Sequence, residues 1–114
     1  MTRNDRYLSV IICTRNRARY LASCLDSVAT QGFPVDHFET RVVDNGSTDG
    51  TPGVVERERR RGRMSVRYVS EPTPGLSIAR NTGVRNAKGA AVIFLDDDAV
   101  ALPGWLAAYS RRLF

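Results

Sequence analysis

Near the start of the chain lies an almost unbroken apolar run, Leu-Ser-Val-Ile-Ile-Cys from Leu8 to Cys13. A strand with one face in water alternates apolar and polar residues, whereas a strand covered on both faces is apolar throughout. The run therefore predicts a central strand in a parallel sheet that carries helices on both faces. A second run of this kind, Ala90 to Leu95, lies near the other end of the chain.

Strand-like and helix-like patterns alternate along the rest of the chain. Apolar residues at helical spacing predict helices, and runs bounded by Gly, Pro, Asn or Asp predict strands. In chain order we expect a helix from Ala18 that stops at Gly32 and Pro34, a strand at about Glu39 to Val43, a helix with Thr51 as N-cap and Pro52 first that runs to about Arg61, a short strand at Ser65 to Val69, a helical stripe of small residues from Leu76 to Ala87, and a last helix from near Pro103.

Four strand-helix pairs in this order indicate an α/β fold with a Rossmann-like, mostly parallel sheet. With 114 residues, 42% of them apolar, the chain suits one compact domain over residues 1–114. No apolar run approaches the roughly 18 residues of a membrane span, and the polar opening from Met1 to Arg6 is unlike a signal peptide. We therefore expect a soluble, cytoplasmic protein. Cys13 and Cys24 fit small buried apolar positions better than a disulfide or a zinc site.

The net charge of +5 owes much to one segment, Glu56 to Arg63, which reads Glu-Arg-Glu-Arg-Arg-Arg-Gly-Arg. Arginines in the last turn of a helix complement its dipole, and Gly62 stands where a helix stop is expected. We interpret the segment as a solvated helix end. Contact with acidic lipid or with nucleic acid is the alternative, and of the two we expect no nucleic-acid partner.

Each predicted strand is followed at once by polar residues. In an open parallel sheet ligands bind outside the carboxyl ends of the strands, so these segments are expected to converge on one site. Loops are polar in any case, and Asn16, Ser47, Thr51 and Ser77 are also typical helix caps. The four segments are Thr14 to Arg17, Asp44 to Ser47, Glu71 to Arg80, and Asp96 to Asp98.

The turn after the first strand contains no glycine, so both the G-x-G-x-x-G turn of dinucleotide binders and the phosphate loop of NTPases are absent. The aspartate run offers another way to hold phosphate. Neighbouring carboxylates about 5 to 6 Å apart repel by roughly 3 kcal/mol at an effective dielectric of 20, which a divalent cation relieves. Asp96 and Asp98, two residues apart, are the candidate ligands for Mg²⁺ or Mn²⁺. A solvent-exposed acidic turn is the alternative.

These segments together resemble family 2 glycosyltransferases, which have the GT-A nucleotide-diphospho-sugar fold. The resemblance covers nearly the whole chain and rests on four stretches in order. They are Ser9 to Arg17 (SVIICTRNR), Val42 to Thr51 (VVDNGSTDGT), Gly75 to Gly83 (GLSIARNTG) and Phe94 to Asp98 (FLDDD).

The resemblance implies the amino-terminal, donor-binding half of such an enzyme. It implies a nucleotide-sugar site, with a UDP-, GDP- or dTDP-linked sugar, in which Asp96 and Asp98 hold the donor ribose and a bridging cation. Such enzymes usually invert the sugar's configuration as an acceptor hydroxyl attacks. The residues implied to bind the donor are Thr14, Arg15, Asn16, Asp44, Asn45, Arg80, Asp96 and Asp97.

The family's catalytic base and acceptor site lie downstream of the D-x-D segment, so we assign no catalytic residue. Asp97, Glu71 and His37 are the nearby candidates for the base, and His37 is expected at the wrong end of its strand. A binding module without transferase activity is therefore the second hypothesis. A flavodoxin-like phospho-acceptor domain is the third, but it would place a lysine after a late strand, and Lys88 precedes the fourth. Ala90 to Leu95 is expected at a sheet edge, which predicts a homo-oligomer or a fragment of a longer polypeptide.

Overall fold

The computed structural model describes residues 5–114. The prediction that the chain does not open with a signal peptide rests partly on residues 1–4, which lie outside the described residues. Strand and helix alternate throughout, as the sequence predicts. The elements are β1 (Leu8–Thr14), α1 (Ala18–Ala29), β2 (Phe38–Asp44), α2 (Thr51–Arg61), β3 (Val66–Ser70), α3 (Leu76–Asn86), β4 (Ala91–Phe94) and α4 (Trp105–Leu113), with a short 3-10 turn at Val35–His37 before β2.

The four strands form one sheet in the order β3-β2-β1-β4, and every neighbouring pair is parallel. The expected central position of β1 is confirmed, as is the edge position of β4. The α/β, Rossmann-like fold is therefore confirmed, and the sheet is wholly rather than mostly parallel. Phe94 on β4 is 44% exposed, so part of the apolar edge strand faces solvent.

Both faces of the sheet are covered, which explains why β1 is apolar throughout. Val10 and Ile12 of β1 join the larger core, together with residues of α1, α2 and α4, whereas Ile11 points to the opposite face with Val43 and Ala79. Successive side chains of β1 thus point alternately into the two cores. Cys24 is buried in the larger core and Cys13 is half-buried beside the smaller one, and both are free thiols, as expected.

Helix α3 approaches the sheet closely because Gly83 has no side chain. A Cβ atom at Gly83 would lie 2.5 Å from Cγ2 of Ile11 and 3.2 Å from Cγ2 of Val43. Both distances are shorter than an ordinary carbon-carbon contact. The small residues that the sequence places on this helix therefore permit close packing, which brings α3 against β1 and β2.

The basic segment ends α2 as predicted. Gly62 adopts the left-handed conformation (φ 67°) just after Arg59, Arg60 and Arg61. Several arginines pair with nearby acids, including Arg63 with Glu58 at 2.8 Å and Arg59 with Glu56 at 2.7 Å. These pairs support the solvated helix end. In the part of the chain that the structure describes, no helix combines the length and the apolar character needed to cross a membrane.

Two helix starts differ from expectation. The N-cap of α2 is Gly50 rather than Thr51, because Thr51 is buried inside the first turn and its backbone N–H bonds to Asp49. Helix α4 begins at Trp105, two residues after Pro103, because Gly104 adopts the left-handed conformation (φ 85°) directly before it. A left-handed residue cannot continue a right-handed helix, so the turn at Gly104 sets the start.

Candidate functional site

The carboxyl ends of the strands bring the predicted polar segments together. In the parallel register Thr14 lies beside Asp44, and Asp44 lies beside Ser70. Strand β4 pairs only as far as Ile11 of β1, so the segment after it passes alongside the last residues of β1. The expected convergence of the segments is confirmed by hydrogen bonds between them, for example from Thr14 to Asp97 and from Asn45 to the carbonyl of Glu71.

An open cleft of about 410 Å³ lies at this end of the sheet. Its wall combines the turn after β1, the turn after β4 and the start of α3. The wall contains both apolar and charged groups. The lining residues are Cys13, Thr14, Arg15, Arg17, Asn45, Leu76, Ala79, Asp96, Asp97 and Asp98.

The three aspartates differ in their surroundings. Asp97 is only 8% exposed, and its Oδ2 accepts a 2.9 Å hydrogen bond from the hydroxyl of Thr14. Asp96 and Asp98, on either side of it, are exposed at the cleft. The buried carboxylate thus anchors the acidic turn to β1, and the two exposed carboxylates remain accessible to a ligand.

Arg17 lies in a segment that is expected at this site, but the sequence assigns it no individual role. Its Nη1 lies 3.3 Å from Oδ1 of Asp97 and 3.3 Å from Oδ2 of Asp98, and its guanidinium lies 5.7 Å from the ring centre of Tyr20. The carboxylates of Asp97 and then Asp98 raise the pKa of Arg17, so it stays charged. Its place in the polar segment after β1, directly after Asn16, was the available signal.

One face of α1 holds the segment that follows the acidic turn. The Cys24 thiol donates to the backbone oxygen of Asp96 at 3.4 Å, and burial raises the pKa of this thiol to about 12. The Ser27 hydroxyl accepts from the backbone N–H of Ala101 at 2.9 Å, and the Gln31 amide donates to the oxygen of Leu102 at 2.8 Å. Cys24 and Ser27, three residues apart, share a face of α1, and Gln31 follows just after the end of the helix. The acidic turn is therefore held by α1 as well as by β1.

Side chains also join the turns after β1 and β2. Asn16 adopts a left-handed conformation (φ 53°), its side-chain oxygen accepts from the N–H of Thr48 at 2.7 Å, and its own N–H donates to the Ser47 hydroxyl at 2.9 Å. Asp49 accepts from the N–H of Ala18 at 3.1 Å and from the Thr51 hydroxyl at 2.6 Å, so one carboxylate serves the starts of α1 and α2. These bonds, led by that from Thr51, lower the pKa of Asp49. Asn16 thus has a structural role beside any ligand role.

Asp44 is enclosed by its own neighbours. It is 2% exposed; its Oδ1 accepts from the N–H of Ser47 at 2.9 Å, and its Oδ2 accepts from the Tyr68 hydroxyl at 2.7 Å. Burial first, and the Asp44 carboxylate second, raise the pKa of Tyr68 to about 12. The carboxylate lies beside the cleft and outside its lining, so contact with a base or ribose stays a prediction.

Asn45 and Arg15 line the cleft, and Arg80 is not among its lining residues, so donor binding by these three stays a prediction. The Asn45 amide donates to the carbonyls of Glu71 (2.7 Å) and Thr73 (2.8 Å), and its oxygen accepts from the N–H of Gly75 at 3.1 Å. This side chain fixes the segment between β3 and α3. Arg80 is exposed, with its guanidinium 5.6 Å from the ring centre of Phe94.

The candidates for a base are all engaged or distant. Asp97 is held as described, and Glu71 accepts from the N–H of Thr73 at 3.0 Å and from the Thr82 hydroxyl. These bonds, that from Thr82 being the stronger influence, lower the pKa of Glu71. His37 precedes β2 and therefore lies at the opposite end of the sheet, as expected. None of the three is placed to take a proton in the cleft.

The side chains at the cleft meet only part of what a hard divalent cation needs. Among residues 5–114 no group of three or more His, Cys, Asp or Glu side chains is arranged to hold a metal ion. Mg²⁺ usually binds one or two carboxylates and completes its shell with water and substrate phosphate. Asp96 and Asp98 meet that smaller requirement, because both are exposed at the cleft beside an open volume.

A parallel sheet with polar segments converging at its carboxyl edge is typical of α/β domains, in which ligands bind outside the carboxyl ends of the strands. The sequence matches the family model described as glycosyl transferase family 2 over residues 9–111. The chain therefore belongs to glycosyl transferase family 2.

Known relatives and structures agree with this assignment. The chain is 35% identical over 106 residues to glycosyltransferase AglE of Haloferax volcanii, covering 93% of this chain and 35% of that protein. It superposes with a TM-score of 0.84 and 36% identity on the mannosyltransferase PcManGT from Pyrobaculum calidifontis in complex with GDP-Man and Mn²⁺, covering 90% of this chain and 31% of that one.

A third likeness is to residues 1–349 of TarS from S. aureus in complex with UDP-GlcNAc, at a TM-score of 0.81 and 33% identity. It covers 92% of this chain and 30% of that one. The 114 residues thus span about a third of AglE and of the two superposed chains. The match confirms the fold expected of the donor-binding half of a GT-A enzyme.

Proposed function

We propose that the cleft binds a nucleoside-diphosphate sugar together with Mn²⁺ or Mg²⁺, and that this binding serves inverting transfer of the sugar to an acceptor hydroxyl. The observation that carries the proposal is the acidic turn after β4, anchored through Thr14 and Asp97 with Asp96 and Asp98 exposed in the same cleft as Arg15 and Arg17. Two structural neighbours hold a nucleotide sugar, UDP-GlcNAc in one and GDP-Man with Mn²⁺ in the other.

Each wall of the cleft has a part in this proposal. Asp96 and Asp98 hold the cation, which when bound would offset charge on the departing nucleoside diphosphate. Arg15 and Arg17 supply positive charge for phosphate oxygens, since the arginine fork suits phosphate geometry. Leu76 and Ala79 supply an apolar wall near the start of α3. Asn45 and Asn16 keep the surrounding turns in place through the bonds described above.

The buried Asp44 reaches the donor's base or ribose only with a change of partner. Both of its oxygens already accept hydrogen bonds, from Ser47 and from Tyr68. We propose that it acts at the rim by accepting a further bond or by releasing the Tyr68 hydroxyl. An Asp44→Asn substitution should then weaken nucleotide affinity by about 1–3 kcal/mol, and unchanged affinity would assign Asp44 to the turn alone.

Binding of the donor without transfer is the second candidate function for these residues. It is favoured by the positions of Asp97, Glu71 and His37, none of which is free to act as base in the cleft. Incubation of the protein with a radiolabelled donor and a panel of acceptor sugars separates the two functions. Binding with no labelled product would support the binding module.

Calorimetric titration with UDP, GDP and dTDP, each with Mn²⁺ and with EDTA, tests the proposed site. We expect one nucleotide to bind more tightly with Mn²⁺, and the combined change Asp96→Ala and Asp98→Ala to abolish that difference. Asp36→Ala is the matched control, because Asp36 is exposed in the 3-10 turn before β2, at the other end of the sheet. Affinity that ignores Mn²⁺, or that survives the double substitution, would contradict the cation site.

A further inference from the structure

We infer that Arg17 is an internal counter-ion of the acidic turn, that it competes with the divalent cation for Asp98, and that the donor diphosphate takes up its guanidinium when the cation binds. This inference rests on the proposed function, since it concerns the same cleft. Arg17 would then adjust the affinity of the acidic turn for the cation. The turn after β4 would then bind metal more tightly when the nucleotide is present.

The two ion pairs of Arg17 are unequal. One atom, Nη1, lies 3.3 Å from oxygens of both Asp97 and Asp98. The Asp97 side chain is only 11% exposed, whereas that of Asp98 is 53% exposed. Solvent weakens the second pair, and an exposed pair of this kind shifts an equilibrium by no more than about fivefold. The Arg17–Asp98 contact is therefore the one that a cation can displace at small cost.

Arg17 is not the only residue that holds Asp97 and the acidic turn in place. Its Oδ2 accepts from the Thr14 hydroxyl at 2.9 Å, and the Asp96 backbone oxygen accepts from the Cys24 thiol at 3.4 Å. The acidic turn therefore keeps two anchors when Arg17 moves. Arg17 itself has a side chain that is 49% exposed, so its rotation meets little packing resistance.

Charge repulsion prevents the Arg17 guanidinium and a divalent cation from both contacting Asp98. A divalent cation on Asp98 would stand within a few ångströms of the guanidinium, and a charge of +2 beside +1 repels even at high effective dielectric. The guanidinium then needs a new anion in the cleft. Arginine binds phosphate oxygens in two-point fashion, so the diphosphate of the donor is the partner that matches. Cation and nucleotide would thereby strengthen each other's binding through one side chain.

Free Mn²⁺ measured by electron paramagnetic resonance tests this without any transfer reaction. The protein is titrated with Mn²⁺, with and without UDP, as wild type, Arg17→Gln and Arg17→Lys. Arg19→Gln is the matched control, because Arg19 is an exposed arginine of the same first turn of α1. If the calorimetric titrations select GDP or dTDP, that nucleotide replaces UDP. Circular dichroism establishes that each variant is folded.

Without nucleotide we expect Arg17→Gln to bind Mn²⁺ roughly two- to fivefold more tightly than wild type, because its competing charge is gone. Arg17→Lys, which keeps the charge, should stay within about twofold of wild type by the same estimate. The factor by which nucleotide raises Mn²⁺ affinity should be smaller in Arg17→Gln. A purely structural role for Arg17 would instead weaken Mn²⁺ binding.

Equal or weaker Mn²⁺ binding by Arg17→Gln, or the same gain in Arg17→Lys, would overturn the inference while the proposed function stands. Wild-type protein that binds no Mn²⁺ even with nucleotide would overturn both. The Asp96→Ala and Asp98→Ala protein separates these cases, because it tests the cation site without changing Arg17.

Discussion

The contact between α3 and β1 gives a prediction whose size follows from the structure. Gly83→Ala would place a methyl group 2.5 Å from Cγ2 of Ile11 and 3.2 Å from Cγ2 of Val43. Both neighbours are fully buried, so neither can rotate into solvent. Inserting a carbon into such a core costs about 1–3 kcal/mol, and an overlap of this depth belongs at the upper end. Alanine recovers up to about 1 kcal/mol in helix propensity. We therefore expect a net loss of about 2 kcal/mol.

Gly53→Ala is the matched control, because Gly53 also lies in a helix but nothing stands within 4 Å of its added Cβ. It should gain about 0.5–1 kcal/mol. Urea unfolding followed by circular dichroism measures both free energies of unfolding. At about 4 °C per kcal/mol, the melting temperature should fall by roughly 8 °C for Gly83→Ala and rise slightly for Gly53→Ala. Equal effects of the two substitutions would refute the close packing of α3.

Three further predictions concern the side chains around the cleft. Thr14→Val should lower the free energy of unfolding by about 1–3 kcal/mol, because it removes the hydrogen-bond donor of the buried Asp97. Thr48→Val, at an exposed position, should lower it much less. Urea unfolding measures both values, and equal losses would contradict the anchoring role of Thr14. The pKa of Cys24 is about 12 in the folded protein against 9.0 for an ordinary thiol, so the unfolded state loses its proton first and stability should fall as pH rises from about 9 towards 12. Cys24→Ala should flatten that slope in urea titrations at pH 8 and 10, and an unchanged slope would count against burial of the thiol. Asn45→Ala should speed hydrogen exchange at the Gly75 amide, measured by NMR, because it removes the acceptor of that N–H; an unchanged rate would show that Asn45 does not order the segment.

The strands could be predicted within about a residue at each end, and two of them, β1 and β4, are nearly continuous apolar runs. The run from Leu8 to Cys13 predicts a strand that the structure shows at Leu8–Thr14, and the run from Ala90 to Leu95 predicts one that it shows at Ala91–Phe94. The central position of β1 followed from its lack of alternation. The order of the other strands did not, because parallel strands with helices between them carry no mark of which neighbour they pair with. Helix starts were less accurate where a backbone conformation decided them, as at Gly104.

The site was predictable at the level of segments and less so at the level of contacts. Every strand-end cluster points to the same edge of the sheet, so convergence follows from topology alone. Pairing across the fold does not: Arg17 meets Asp97 80 residues away, and Asp49 bonds to the N–H of Ala18 from another turn. The position of Asp44 at the end of β2 predicts a ligand contact, whereas its hydrogen bond from Tyr68 depends on β3, which the motif does not include.

Anomalous diffraction tests whether the cleft holds nucleotide and cation together: the protein is crystallised with its preferred nucleotide and Mn²⁺, and data are measured at a wavelength where manganese scatters anomalously. We expect one strong anomalous peak within coordination distance of a carboxylate oxygen of Asp96 or Asp98 and of the nucleotide's phosphate oxygens, in the cleft lined by Thr14 and Arg15. Nucleotide bound in the cleft with no peak there, or a peak at any other place in the fold, would contradict it.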